Sequence, residues 1–345
     1  MRQTRTLNAV EVHAEGEQGT CYLGGVFEIP GVSMREKLHH LNEVDDSLRR
    51  YLCFEPRGRP QSSANLVFAS SNPEADAGFV ILQAERAHAM SGSNTICVVT
   101  ALLETGVVPM TSPTTSVVLE TAAGLVRTTA DTPDGRCERV TLDGVASFVE
   151  ALDVPLHVPG LGDIVVDVAY GGCYYVLADP AQFGVKLDRA SARDVVEAGT
   201  AISVAARKQI TVQHTEIPEI NFISYVMLVG DDDPGHGSLR GSTVLSGRVD
   251  RSPCGTGNSA RLACMAARGQ ATVGSTFVAR SLIDSEFTVS IIGTTTVGGR
   301  AAVLPRISGR GWVVGTRITA VDPDDPYPEG YVLSDIWGTE VGSSV

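Results

Sequence analysis

His88-Ala89-Met90-Ser91-Gly92-Ser93-Asn94-Thr95 in the first half of the chain is echoed by Arg251-Ser252-Pro253-Cys254-Gly255-Thr256-Gly257-Asn258 in the second. Ser91 stands over Cys254, Gly92 over Gly255, and the hydroxyl residues Ser93 and Thr256 also align. At the same offset Leu82 lies over Leu245, and Gly106 over Gly269. Each copy reads as strand, tight loop, small apolar helix and glycine stop. Chance could produce part of such a match, because glycine and small residues are common here, but this one includes both ends of the unit.

The helical part of each copy predicts a site. Asn94–Glu104 carries Ile96, Cys97, Val98, Val99, Ala101, Leu102 and Leu103, a helix apolar on nearly every side and therefore buried all round. Asn258–Arg268 is likewise small and apolar, and Gly106 and Gly269 are suited to end the two helices. Each helix begins just after a Ser-Gly-Ser or Cys-Gly-Thr turn. A helix start leaves up to four backbone N–H groups without internal partners and carries the positive end of the macrodipole. Two such ends facing each other would grip a carboxylate, and the same field would favour the thiolate of Cys254. Cys97 and Cys264, inside the helices, read as small core residues. Cys254 sits in a polar turn instead, whereas Ser91 taken alone reads as a plain helix cap.

The bulk properties narrow the class. The 345 residues are enough for two domains, and 43% hydrophobic with 19% charged residues is a globular composition. A formal net charge of −13 without long acidic runs argues against nucleic acid or an acidic membrane as partner, since both need a basic footprint. The seven cysteines are irregularly spaced with no CxxC pair, which disfavours a disulfide framework or a zinc site. The stretch from Met1 to Val12 does not read as a signal peptide, and no run approaches ~18 apolar residues. A cytoplasmic location is expected.

Around the echo, strands and helices mix throughout. Leu7–His13 and Phe79–Gln83 read as strands, and Ser116–Glu120 with Leu125–Thr129 as a hairpin. Ser33-Met34-Arg35-Glu36 is a capping box, and Leu38, Leu41, Val44, Leu48 and Leu52 predict one helix after it. Asp163–Ala169 reads as a strand. Ser191–Lys208 reads as a helix with Val195, Gly199, Ile202 and Ala206 on one stripe, and Phe287 to Thr319 is β-rich.

Asp250-Arg251-Ser252-Pro253-Cys254-Gly255-Thr256-Gly257 is very similar to the second active-site motif of the proline racemase and hydroxyproline epimerase family, and Met90–Ile96 resembles the first. Glu55-Pro56-Arg57-Gly58, Glu120-Thr121-Ala122-Ala123-Gly124 and Ala169-Tyr170-Gly171-Gly172 add to a resemblance that spans essentially the whole chain. It implies an α/β (α+β) fold like diaminopimelate epimerase, with two pseudo-symmetric halves, each a curved sheet around a central helix. The active site would lie in the cleft between them. The expected halves are 1–150, joined by a C-terminal segment 320–345, and 151–319. No cofactor or metal is implied, the partner is a small imino acid, and a homodimer is compatible with the sequence.

The departures direct the expected reaction. Family members usually carry a cysteine in both motifs, one thiol for each face of the α-carbon. Here the first is Ser91, and the histidine expected two residues later is Ser93. A hydroxyl is far less acidic than a thiol (pKa ~8.5), which casts doubt on efficient two-way racemisation. Family members with a hydroxyl residue here resemble trans-3-hydroxy-L-proline dehydratases. In that substrate the 3-hydroxyl shares a ring face with the α-hydrogen, so one thiolate could remove the α-proton and then protonate the departing hydroxyl. The expected principal reaction is therefore dehydration to Δ1-pyrroline-2-carboxylate. The alternatives are 4-hydroxyproline 2-epimerisation, which needs an acid/base group on each face, or a proline racemase-like isomerisation. A binding protein without catalysis is a third class, disfavoured by the intact run around Cys254.

The expected roles follow. Cys254 is the principal base, and Ser91 is a donor or second acid/base, although the sequence leaves the reverse assignment open. The N–H groups of Gly92, Ser93, Gly255 and Thr256 hold the carboxylate, and Asp250 pairs with the ring ammonium. His236, in Pro-Gly-His-Gly, would contact the ring hydroxyl or be a solvated loop residue.

Overall fold

The structure, a computed structural model, describes residues 6–25, 28–218, 220–233, 237–245, 247–333 and 335–337. The chain divides into two compact units, Met1–Leu142 with Gly309–Val345, and Asp143–Ser308.

The first unit opens with strands β1 (Thr6–Ala14) and β2 (Glu17–Gly25), an antiparallel hairpin. Helices α1 (Met34–Glu43) and α2 (Ser47–Cys53) follow. Strand β3 (Ser62–Phe68) then runs parallel to β2, and β4 (Ala77–Leu82) antiparallel to β3. The two-residue β5 (Ala87–His88) folds back on β4 and leads into α3 (Gly92–Glu104). After α3, β6 (Thr114–Thr121) lies parallel to β4, and β7 (Gly124–Asp131) and β8 (Arg139–Asp143) continue antiparallel.

The second unit repeats this pairing scheme. Strand β9 (Ser147–Val158) pairs with β10 (Gly162–Tyr170), and β10 with β11 (Tyr174–Ala178), both antiparallel. Helix α4 (Ala192–Gln209) crosses to β12 (Ile223–Asp233), parallel to β11. Antiparallel β13 (Ser238–Leu245) and the short β14 (Arg248–Val249) lead into α5 (Gly255–Ala267). Strand β15 (Thr276–Arg280) then lies parallel to β13, followed antiparallel by β16 (Glu286–Val297) and β17 (Arg300–Gly309). Strand β17 also pairs with β9 through Ala302–Phe148 and Val303–Ser147, curling the sheet round on itself. Strand β18 (Gly311–Ala320) returns to the first unit, antiparallel to β1. The chain therefore re-enters that unit at Gly309, ahead of residue 320.

Each sheet curves around its helix. In α3 every residue from Gly92 to Leu103 is buried, and in α5 only Thr256, Met265 and Ala266 are half-buried and only Ala267, at the end, is exposed. No polar stripe is left to face water, so a sheet must cover the helix on all sides. Gly106 and Gly269, at φ 72° and 71°, take the left-handed conformation that ends the two helices. Cys97 and Cys264 are buried within them.

One sequence expectation fails here. The apolar spacing from Leu38 to Leu52 predicts a single helix, but α1 ends at Glu43 and Val44 is 67% exposed. Asp45 Oδ1 accepts the Ser47 N–H at 2.9 Å, offering the backbone a non-helical partner where the helix would continue. Leu41 on α1 and Leu48 and Leu52 on α2 still reach one core, through two helices. The capping box itself forms. Ser33 Oγ accepts the Glu36 N–H, and Glu36 Oε2 accepts the Ser33 N–H at 3.0 Å.

Two of the family-like motifs brace the first unit. Glu55 exchanges backbone hydrogen bonds with Tyr331 and accepts from buried Trp337 Nε1 at 2.8 Å, tying the C-terminal segment to α2. Glu120 accepts from Met34 N at 3.2 Å and Ser70 Oγ at 2.5 Å, holding the start of α1.

Candidate active site

Ser91 and Cys254 are the N-cap residues of α3 and α5, and each accepts a hydrogen bond from the backbone three residues on. Ser91 Oγ accepts from Asn94 N at 3.4 Å and Cys254 Sγ from Gly257 N at 3.4 Å. The first-turn N–H groups of Gly92, Ser93, Gly255 and Thr256 lie outside the helices' own ladders, the arrangement that binds anions.

In the first unit, Ser91 Oγ also accepts from Asn94 Nδ2 at 3.1 Å and lies 3.3 Å from Ser93 Oγ. Thr95 Oγ1 donates to the Ser91 carbonyl at 2.8 Å. Asn94 and Ser93 are buried. With two N–H groups directed at its lone pairs, the serine hydroxyl has its own proton left to donate, and its alkoxide would be stabilised.

In the second unit the cap is strained. Cys254 has φ 68° and ψ 108°, a region that L-residues avoid at a cost of about 1–3 kcal/mol. Both flanking peptides are pinned. Ser252 Oγ donates to Asp250 Oδ1 at 2.9 Å and accepts Cys254 N–H at 3.2 Å. Asn258 Nδ2 donates to the Pro253 carbonyl at 2.7 Å and the Cys254 carbonyl at 2.8 Å. The Asp-Arg-Ser-Pro-Cys run is thus a hydrogen-bonded clamp that turns the sulfur toward the helix start. Gly257 is required beneath it, because a Cβ there would come within 3.1 Å of Cys254 Sγ and 2.9 Å of Met227 Sδ. Gly171 similarly lets the β10–β11 turn press against α5, where a Cβ would meet the Thr256 carbonyl oxygen at 2.2 Å.

The electrostatics of the thiol run against the sequence expectation. Burial first, and then the charge of Asp250, push the Cys254 thiol up to about 11. Hydrogen bonds from Thr243, Tyr175 and Gly257 oppose the rise without cancelling it. The helix start does favour thiolate, but desolvation wins in the free protein. The resting sulfur is a neutral thiol.

Asp250, Gly255 and Thr256 therefore gather around Cys254 in one unit, and Gly92 and Ser93 around Ser91 in the other. His236 lies outside the described residues. Sequence reading missed Asn94, Asn258 and Tyr175. The asparagines carried a signal, since both fall in the first turn of the echoed helices. Tyr175 carried none, because its relation to Cys254 depends on strand packing. Among the described residues, no group of three or more His, Cys, Asp or Glu side chains could hold a metal ion, and no helix is long and apolar enough to cross a membrane.

The family model described as proline racemase matches residues 9–332. A 4-hydroxyproline 2-epimerase of Rhizobium etli is 49% identical over 345 residues, 99% of each chain. One of Agrobacterium fabrum is 47% identical over 346 residues, 99% of this chain and 100% of that one. The crystal structure of a hydroxyproline epimerase from Agrobacterium vitis with bound trans-4-hydroxy-L-proline superimposes with a TM-score of 0.93 at 46% identity, covering 99% of each chain. A PhzF-family protein of Bacillus anthracis, with a TM-score of 0.59 at 14% identity, shares the fold, which is diaminopimelate-epimerase-like.

These relatives overturn dehydration of trans-3-hydroxy-L-proline as the expected principal reaction, because those of high identity are named epimerases. The expectation let the acidity of a free serine hydroxyl decide the chemistry. In the structure that hydroxyl accepts two N–H donors at a helix start, which favour negative charge on its oxygen.

Proposed function

Because the chain belongs to the proline racemase family, and is an enzyme of that family, we propose that it is a 4-hydroxyproline 2-epimerase. It interconverts trans-4-hydroxy-L-proline and its C2 epimer by taking the α-proton from one face of the ring and returning one to the other. The observation that best supports this reading is the whole-length identity of 47–49% to relatives of that name.

In this reading Cys254 is one acid/base group and Ser91 the other. The N–H groups of Gly92, Ser93, Gly255 and Thr256 hold the carboxylate and take up charge as the α-carbon loses its proton. Asp250 receives the ring ammonium. That pairing has a second effect. Asp250 raises the Cys254 thiol in the free protein, and a cation beside the carboxylate offsets its charge. Substrate binding therefore brings the thiol toward ionisation at the moment a base is needed, while the ammonium acidifies the α-proton.

The test is incubation of the purified protein with trans-4-hydroxy-L-proline in heavy water, followed by chiral separation and mass analysis. Inversion with uptake of one deuterium is expected, and its abolition in Cys254→Ala. A chain that leaves both configuration and mass unchanged would refute the proposal.

A further inference from the structure

Cys254 is held by more than its own helix. Tyr175, on β11, places its hydroxyl 3.4 Å from Cys254 Sγ and 2.7 Å from Thr256 Oγ1. Sγ and Thr256 Oγ1 are themselves 3.8 Å apart, so the three groups form a closed triangle. Tyr175 is 1% exposed, and its ring packs with Ala169, Leu177, Met227 and Ala260. The position of its hydroxyl is therefore set by the strand and the core, not by solvent.

Chemistry fixes the direction of the hydrogen bonds once the sulfur ionises. A thiolate only accepts, so the Tyr175 hydroxyl must donate to it, and the Thr256 hydroxyl can donate in turn to the tyrosine oxygen. Burial holds the phenol well above its ordinary range, so Tyr175 keeps its proton. Beside Thr243, the sulfur then has as donors the Gly257 N–H from its own helix and the Tyr175 O–H from a neighbouring strand. Ser91 has the corresponding pair in Asn94 N and Nδ2. In each cap one donor is the backbone N–H three residues on and another is a side chain, asparagine in one and tyrosine in the other.

We propose that Tyr175 is a positioning residue for the reaction, its hydroxyl, backed by Thr256, stabilising the Cys254 thiolate and aiming it. This rests on the reading of Cys254 as an acid/base group. The other groups around the sulfur act in both directions. Asp250, from the loop before α5, opposes the thiolate, and the Cys173 thiol of the β10–β11 turn interacts with the same charge. Thr243 on β13 and Gly257 favour the thiolate, as does Tyr175. Of the favourable contacts, that from Tyr175 can be deleted while the shape of the side chain is kept, by Tyr175→Phe.

The experiment measures Cys254 itself in the full chain. Wild type, Tyr175→Phe, Thr256→Val and Thr256→Ser are alkylated with iodoacetamide at about pH 8.5, and the Cys254 peptide is quantified by mass spectrometry. Below the thiol's own pKa the rate follows the thiolate fraction. Losing one hydrogen bond to a charged group should raise that pKa by about one unit, so labelling of Tyr175→Phe should fall about tenfold. Thr256→Val should move the same way by a smaller factor, and Thr256→Ser, which keeps the hydroxyl, should label like wild type. Wild-type labelling of both Tyr175→Phe and Thr256→Val would overturn the proposal. Labelling needs no substrate, so a chain that fails to invert 4-hydroxyproline would refute the proposed function and leave this result standing.

Discussion

Asn94 donates twice to Ser91, from its backbone N–H at 3.4 Å and from its side-chain Nδ2 at 3.1 Å. Its own amide is oriented from behind, because Asn65 on β3 donates to Asn94 Oδ1 at 2.9 Å, with both residues buried. The amide oxygen is thereby committed to Asn65 and the nitrogen to the serine. No Cβ fits over this pair, since one on Gly19 would lie 2.8 Å from Asn65 Nδ2 and 3.0 Å from Asn94 Oδ1.

If Ser91 is the second acid/base group, Asn94→Ala should impair it without touching Cys254. A lost donor to a developing charge corresponds to a decrease in inversion rate of about ten- to a hundredfold. The diagnostic is asymmetry. In heavy water, the epimer deprotonated by Cys254 should still exchange its α-hydrogen while no longer inverting, and the other epimer should do neither. Proton NMR of the α-position for each epimer measures this. Equal loss of exchange from both would mean that Asn94 acts only on the fold.

Asp250→Asn should separate thiol acidity from substrate binding. Removing the carboxylate charge takes away one cause that raises the Cys254 thiol, so alkylation of the free protein should quicken several-fold. The ring ammonium would lose its partner, and KM should rise at least about tenfold. A sulfur that becomes more reactive in an enzyme that becomes worse is the expected pair of outcomes. Slower alkylation would contradict the electrostatic account.

All seven cysteines are free, and burial pushes each of them upward: Cys21, Cys53, Cys173 and Cys264 to about 12, Cys137 and Cys254 to about 11, and Cys97 well above its ordinary value. An acid whose folded pKa lies above its unfolded value keeps a proton that the unfolded chain has already lost. The unfolded state then binds fewer protons, and stability falls as pH rises. The contribution of these thiols is thus complete below the ordinary thiol value of 9.0 and is lost as pH climbs through 11 to 12. Thermal melts at intervals from pH 8 upward should show Tm declining beyond pH 9. Cys21→Ala should be less stable at neutral pH, through the small cavity it leaves, yet decline less steeply in alkali. An unchanged slope would remove Cys21 from the account.

What could be read from the chain alone was local. The caps at Ser91 and Cys254, the glycine stops at Gly106 and Gly269, the capping box at Ser33 and the hairpin closed at Thr121 and Gly124 all depend on contacts within a few residues. The repeat of one such unit, with the motifs around it, was enough to recognise the fold. Tertiary structure decided the rest. Whether Val44 continues a helix depended on a competing hydrogen bond, and whether Tyr175 meets Cys254 depended on where β11 packs against α5. The ionisation of Cys254 was likewise a contest between a helix start, visible in sequence, and desolvation by a core assembled from distant strands. Propensity and capping act over one turn, whereas burial is a property of the whole assembly, and at the reactive sulfur burial prevails.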